Sequence, residues 1–138
     1  MKICIQIEAE YMKRKIYPLC EAVIHNDAEL FHKLIESGID IDGVDYNHIT
    51  ALCYASDRGN VPMAKMLLDN GANIEFRDSY GNTPLLIACS KFITNGDAMI
   101  NLLISYGADI NANNYYGVSP KSYSEMAANF PEIEAFKE

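Results

Sequence analysis

Apolar residues in this chain fall into short helical stripes rather than alternating runs, and the stripes recur. Leu34-Ile35, Leu67-Leu68 and Leu103-Ile104 are apolar doublets that each precede a glycine by a few residues. Each doublet fits the buried face of an amphipathic helix. Gly38, Gly71 and Gly107 then read as helix stops, because glycine enters the left-handed conformation at little steric cost. Around those stops the sequence repeats: Ser37-Gly38-Ile39-Asp40-Ile41-Asp42, Asn70-Gly71-Ala72-Asn73-Ile74-Glu75 and Tyr106-Gly107-Ala108-Asp109-Ile110-Asn111, at intervals of 33 and 36 residues.

Helix starts share the same spacing. Asp45-Tyr46-Asn47-His48-Ile49-Thr50-Ala51-Leu52 aligns with Asp78-Ser79-Tyr80-Gly81-Asn82-Thr83-Pro84-Leu85 and with Asn114-Tyr115-Tyr116-Gly117-Val118-Ser119-Pro120. A Thr or Ser hydroxyl accepts a bond from an unpaired first-turn amide, and proline at the first helical position forfeits no intrahelical bond. Each unit therefore reads as turn, cap, helix, then a second helix closed by glycine.

Glycine, Thr-Pro-Leu and Gly-Ala-Asn or Gly-Ala-Asp, recurring jointly at about 33 residues, resemble the ankyrin repeat family. The resemblance implies an all-α solenoid of about four helix-turn-helix repeats with short hairpin-like fingers. It divides the chain into an entry repeat at 16–44, a full repeat at 45–77, a longer repeat at 78–113 and a degenerate C-terminal cap at 114–138. In the cap, Lys121 stands where Leu85 would, and its second helix, from about Pro131, is short. The entry repeat carries Tyr17 at the position of Thr50 and Thr83. Residues 1–15 lie outside the pattern; Ile3, Ile5 and Ile7 alternate with polar residues, and the segment is expected to be an extended or disordered leader.

Two departures from the family pattern stand out. The histidine that the resemblance places after Thr-Pro-Leu, where it braces neighbouring loops, is replaced by Cys20, Cys53 and Leu86. The third repeat also holds three extra residues within Cys89 to Gly96. They either add a helical turn or lengthen the loop between helices, and Phe92 and Ile93 there either offer apolar contact to a partner or fold back on the core.

Composition narrows the function. With 138 residues, 49% hydrophobic and 22% charged, the chain suits one globular unit. A formal charge of -8 and a pI near 4.8 repel a phosphate backbone, and Lys13-Arg14-Lys15 is too small a patch to reverse that. The expected partner is a protein, and a basic one. No apolar run approaches a membrane span, and Gln6, Glu8 and Glu10 interrupt the N-terminal apolar stretch, which argues against a signal peptide. Four cysteines without ligand spacing read as reduced core thiols, so a cytoplasmic, monomeric protein is expected. Cys20 and Cys53 are expected about 8 to 10 Å apart, too far for a disulfide.

Catalytic constellations are missing from the sequence. His25, His32 and His48 form no H-x-x-x-H or H-E-x-x-H, and no G-x-S-x-G or phosphate-binding glycine loop occurs. Asp40, Asp42, Asp45, Asp57, Asp69 and Asp78 fall on loops and helix ends and are expected to be solvated. Neither an enzyme nor a cofactor or metal site is expected.

The ankyrin resemblance implies binding along the concave face formed by finger tips and first helices. By register this assigns Tyr46, Asn47 and Ile49; Ser79, Tyr80 and Asn82; and Tyr115 and Tyr116 to the tips. Asp57, Arg58, Lys91 and Phe92 stand at helix ends and the insertion, and Arg77 at the base of a finger. Tyrosines bring large contact area at modest entropy cost. The expected role is a stoichiometric inhibitor or adaptor, in its sharper form an immunity protein neutralising a basic toxin. The competing expectation is a secreted, host-directed effector.

Overall fold

The computed structural model describes residues 16–137, so the leader expected at 1–15 lies outside the described residues. Among the described residues there are eight α-helices: α1 (Pro18–Ile24), α2 (Ala28–Glu36), α3 (Ala51–Arg58), α4 (Val61–Asp69), α5 (Pro84–Ser90), α6 (Phe92–Asn95), α7 (Ala98–Ser105) and α8 (Pro120–Met126). A 3-10 turn, Glu134–Phe136, follows. This is the helical solenoid that the repeat pattern implies.

The expected caps form where the sequence places them. Thr50 Oγ1 accepts the N–H of Cys53, Thr83 Oγ1 accepts that of Leu86, both at 3.3 Å, and Ser119 builds a reciprocal capping box with Ser122. Tyr17 makes no cap. Its ring instead lies over Gly43, where a Cβ would sit 2.0 Å from it, and its hydroxyl donates to the Asp40 carbonyl at 2.7 Å.

Helices α1, α3, α5 and α8 stack in one row, α2, α4 and α7 pack behind them, and α4 packs on α7. Small residues at one register, Ala22, Ala55 and Ala88, are buried where the first helices approach one another. Leu19, Leu52 and Leu85 fill the space beside them, each fully buried or nearly so. Burying a leucine side chain contributes roughly 1.5–3 kcal/mol, so a one-residue slip of any helix would forfeit most of the stack's stability. Behind this row, Tyr106 Oη donates to Asp69 Oδ1 at 2.6 Å and Lys65 Nζ lies 3.0 Å from Asp69, tying α4 to the end of α7.

The three extra residues of the third repeat neither prolong α5 smoothly nor form a plain loop. They fold as the separate one-turn helix α6, closed by Gly96. Asn95 Nδ2 donates to the Asp57 carbonyl at 2.9 Å and its side chain covers Gly59, so the extra turn is docked on the end of α3. At the exit, Phe130 stacks on Phe92 at 4.9 Å and on Phe136 at 5.8 Å, with Ile133 buried beside them. The short second helix of the cap is thus a 3-10 turn held by an aromatic cluster.

Candidate functional site

Three fingers project from the stack, and each is built around one side chain. Asp45 Oδ1 accepts the N–H groups of Asn47 and Ile49, Asp78 Oδ1 those of Tyr80 and Asn82, and Asn114 Oδ1 those of Tyr116 and Val118. The turn also needs a left-handed residue: Gly81 at φ 78° and Gly117 at φ 80°, with His48 at φ 59° in the equivalent place. The His48 ring rests on Phe76, 5.2 Å away. A strained turn residue therefore gains a contact that glycine lacks.

Asp45 corrects the expectation that the loop carboxylates are solvated. Only 5% of its surface is exposed, and besides the two amides it accepts the hydroxyl of Tyr54. Burial first, and then the bond to Asp45, push the Tyr54 hydroxyl well above its ordinary pKa. Its proton stays on the phenol. Cys20, standing where the family histidine would, donates its thiol to the Ile49 carbonyl at 3.4 Å. A bond from that position to the neighbouring finger thus persists with a thiol in place of the ring.

The fingers are fastened to one another. Ser79 Oγ donates to the Asn47 carbonyl at 3.3 Å, Asn114 Nδ2 donates to Asn82 Oδ1 at 3.0 Å, and the Tyr115 N–H donates to the Tyr80 carbonyl at 3.0 Å. The Arg77 guanidinium donates to the carbonyls of Gly81 and Asn113, bridging the finger of the third repeat to the chain leading into the fourth repeat. Ser79, Asn82 and Arg77 therefore act first as fasteners.

Four expected tip residues remain open to solvent: Tyr46, Tyr80, Tyr115 and Tyr116 retain 68%, 60%, 69% and 75% of their surface. Tyr115 also leans on Gly81, where an added Cβ would meet its Cδ1 at 2.7 Å. Between the second and third repeats a groove of about 340 Å³ is lined by Ile49, Asp57, Tyr80 and Asn82, all expected, together with Tyr54, Ile87 and Ser90. Sequence reasoning missed Tyr54 and Ile87, although both occupy the fourth position after the cap threonine, the face of the first helix turned toward the fingers.

Other expected residues lie elsewhere. Phe92 is buried against Phe130 and belongs to the core, whereas its neighbour Ile93 is 84% exposed. Of the two, only Phe92 folds back on the core; Ile93 stays open to solvent. Lys91 Nζ sits 3.4 Å from Asp57 Oδ1, joining two expected contact residues to each other. Arg58 lines a different groove, of about 550 Å³, with Phe31, His32, Asn60, Met63 and Met66.

Among the described residues no group of His, Cys, Asp or Glu could hold a metal ion, and no helix is long and apolar enough to cross a membrane. The described cysteines Cys20, Cys53 and Cys89 are buried and free. Burial pushes the Cys53 thiol up to about 11 and the Cys89 thiol up to about 12.

Known proteins carry the same pattern. The model of the family described as ankyrin repeats (3 copies) matches residues 19–114. The chain is similar to the potassium channel GORK of Arabidopsis thaliana, 39% identical over 67 residues, which are 49% of this chain and 8% of the channel. It is also similar to the ankyrin repeat protein OPG189 of Vaccinia virus (strain Copenhagen), 33% identical over 96 residues, 70% of this chain and 16% of that protein. A third relative, an ankyrin repeat, SAM and basic leucine zipper domain-containing protein of Dasypus novemcinctus, is 33% identical over 117 residues, covering 83% of this chain and 24% of its own length. The chain thus spans less than a quarter of each of these three relatives. With fingers built on an aspartate or asparagine side chain, cap threonines and two-layered helix pairs at the matched positions, the chain belongs to the ankyrin repeat family, whose repeats are protein-interaction modules.

Proposed function

We propose that this protein acts by stoichiometric binding, as an inhibitor or adaptor without catalysis, and that the binding surface is the concave face running from the tyrosine tips into the groove beside Tyr54 and Ile87. The observation that carries this reading is the tip row: four tyrosines held outward on fingers whose turns are fixed by internal hydrogen bonds. A preorganised aromatic surface loses little entropy on binding. Buried, unpaired thiols suit a reducing, cytoplasmic setting.

Charge argues for a basic partner. Seven Lys and Arg stand against sixteen Asp and Glu within residues 16–137, and Lys33, Lys65, Lys91 and Lys137 are each within ion-pair distance of a carboxylate. The unpaired excess is acidic, which accelerates encounter with a positive surface and disfavours nucleic acid.

The test is affinity purification of the partner, followed by titration calorimetry with Tyr80→Ala and Tyr116→Ala. Each substitution is expected to weaken binding about tenfold or more, as for an aromatic hot spot, with thermal unfolding unchanged. Unaltered affinity in both variants would overturn the site assignment.

A further inference from the structure

We infer that the groove between the second and third repeats takes one arginine or lysine side chain projecting from the partner. The inference rests on the concave-face reading and adds the chemistry of its central contact. Hydrogen-bond polarity is the first argument. The Tyr54 hydroxyl has committed its proton to Asp45, and Ser90 Oγ has committed its own to the Ile87 carbonyl at 2.6 Å. The amides of Tyr80 and Asn82 are both held by Asp78 Oδ1, and the amide of Cys53 is held by Thr50. Asn82 Nδ2 donates to Asp78 Oδ2 at 3.4 Å. What Tyr54, Ser90 and Asp57 still offer a ligand are lone pairs, beside a Tyr80 hydroxyl that donates or accepts as the ligand requires.

Charge agrees with polarity. Asp57 and Asp78 line the groove, and Asp45 lies directly behind Tyr54. Against these three carboxylates stands Lys91, at 3.4 Å from Asp57 with both side chains close to half exposed. Arg77 is not among the lining residues, and its guanidinium donates to the carbonyls of Gly81 and Asn113. Ile49, Ile87 and the faces of Tyr54 and Tyr80 supply apolar walls for a long aliphatic stem, and aromatic faces attract a cation. About 340 Å³ admits one such side chain with several waters.

The probe is the peptide N-acetyl-Gly-Arg-Gly-amide, with its citrulline analogue as the neutral isostere, titrated into the whole chain while the Ile49 and Ile87 methyl resonances are followed by NMR. The arginine peptide should give saturable shifts at both methyls, and citrulline should bind about fivefold more weakly or worse, as expected for loss of a partly desolvated charge. Asp57→Asn should weaken the arginine peptide by a similar factor. Lys91→Gln should tighten it, because the lysine competes for Asp57; a purely structural Lys91 would not do this. Equal binding of arginine and citrulline, no saturable shift, or weaker binding to Lys91→Gln would each overturn the inference. Tip substitutions are read separately on the whole partner, so the groove can fail while the concave-face reading stands, and the reverse.

Discussion

Asp42 in the entry repeat holds the main-chain N–H of Asn73 in the next repeat, at 2.8 Å from its Oδ1. One repeat further, Glu75 Oε1 holds the N–H of Asp109 at the same 2.8 Å. The loop after each second helix leaves an amide without a helical partner, and a carboxylate from the preceding repeat satisfies it. Two acid types, one a methylene longer than the other, make the same link.

Glu75→Ala is expected to lower stability by about 1–2 kcal/mol, the range for a hydrogen bond to a charged group at a partly exposed site. Glu75→Gln, which keeps an acceptor oxygen, should recover about half of that. Urea unfolding at neutral pH measures both, and an unchanged midpoint for Glu75→Ala would remove the link from the account of stability.

Gly81 and Gly117 have nearly the same positive φ, yet only one has a neighbour in the way. A Cβ on Gly117 would meet nothing within 4 Å, whereas on Gly81 it would meet Tyr115 Cδ1 at 2.7 Å and the Tyr115 backbone nitrogen at 2.8 Å. Gly117→Ala should therefore cost about 1–2 kcal/mol, the left-handed penalty alone. Gly81→Ala should cost measurably more, and adding Tyr115→Ala should restore only part of the difference, because the backbone nitrogen remains. Equal unfolding midpoints for the two alanine variants would contradict the finger packing.

Phe92 and Ile93 should separate sharply by stability. Phe92→Ala removes the buried ring that packs on Phe130, the hub of the aromatic cluster, and is expected to cost about 3 kcal/mol. Ile93→Ser, at an exposed position, should stay within about 0.5 kcal/mol. Loss of stability in both would mean that Ile93 is covered.

The buried thiols give a pH dependence with a definite sign. Their ordinary value is 9.0, raised by burial to about 11 for Cys53 and about 12 for Cys89. Between the unfolded and folded values the unfolded chain releases thiol protons that the native state keeps. Stability is therefore complete below about pH 9 and falls as pH rises, by at most about 1.4 kcal/mol per pH unit for each thiol. Unfolding midpoints from pH 8 to 10.5 should decline less steeply for Cys89→Ala than for the parent chain. An identical slope would show that Cys89 is not shielded.

The repeat, its caps and its finger turns were legible because each rests on local chemistry: a threonine before a helix, a glycine after one, an aspartate beginning a turn. What escaped the sequence depends on spatial neighbours. Asp45 and Asp78 look alike in the alignment, but Asp45 is buried beneath the Tyr54 hydroxyl while the corresponding residue beside Asp78 is Ile87. Phe92 and Ile93 are adjacent apolar residues, and only the aromatic cluster at the exit distinguishes the one inside from the one outside. The fastening role of Arg77 stays hidden in sequence because its two acceptors are main-chain carbonyls, which no residue letter reveals.

The one-turn helix Phe92–Asn95, clamped on Gly59 and the Asp57 carbonyl, has a last consequence. A ladder of equivalent units invites a ligand to settle one rung too high or too low, since every rung offers similar contacts. A single rung with an extra turn beside it breaks that equivalence. The added turn is an index mark on the array: it makes the third repeat distinguishable from its neighbours by shape alone.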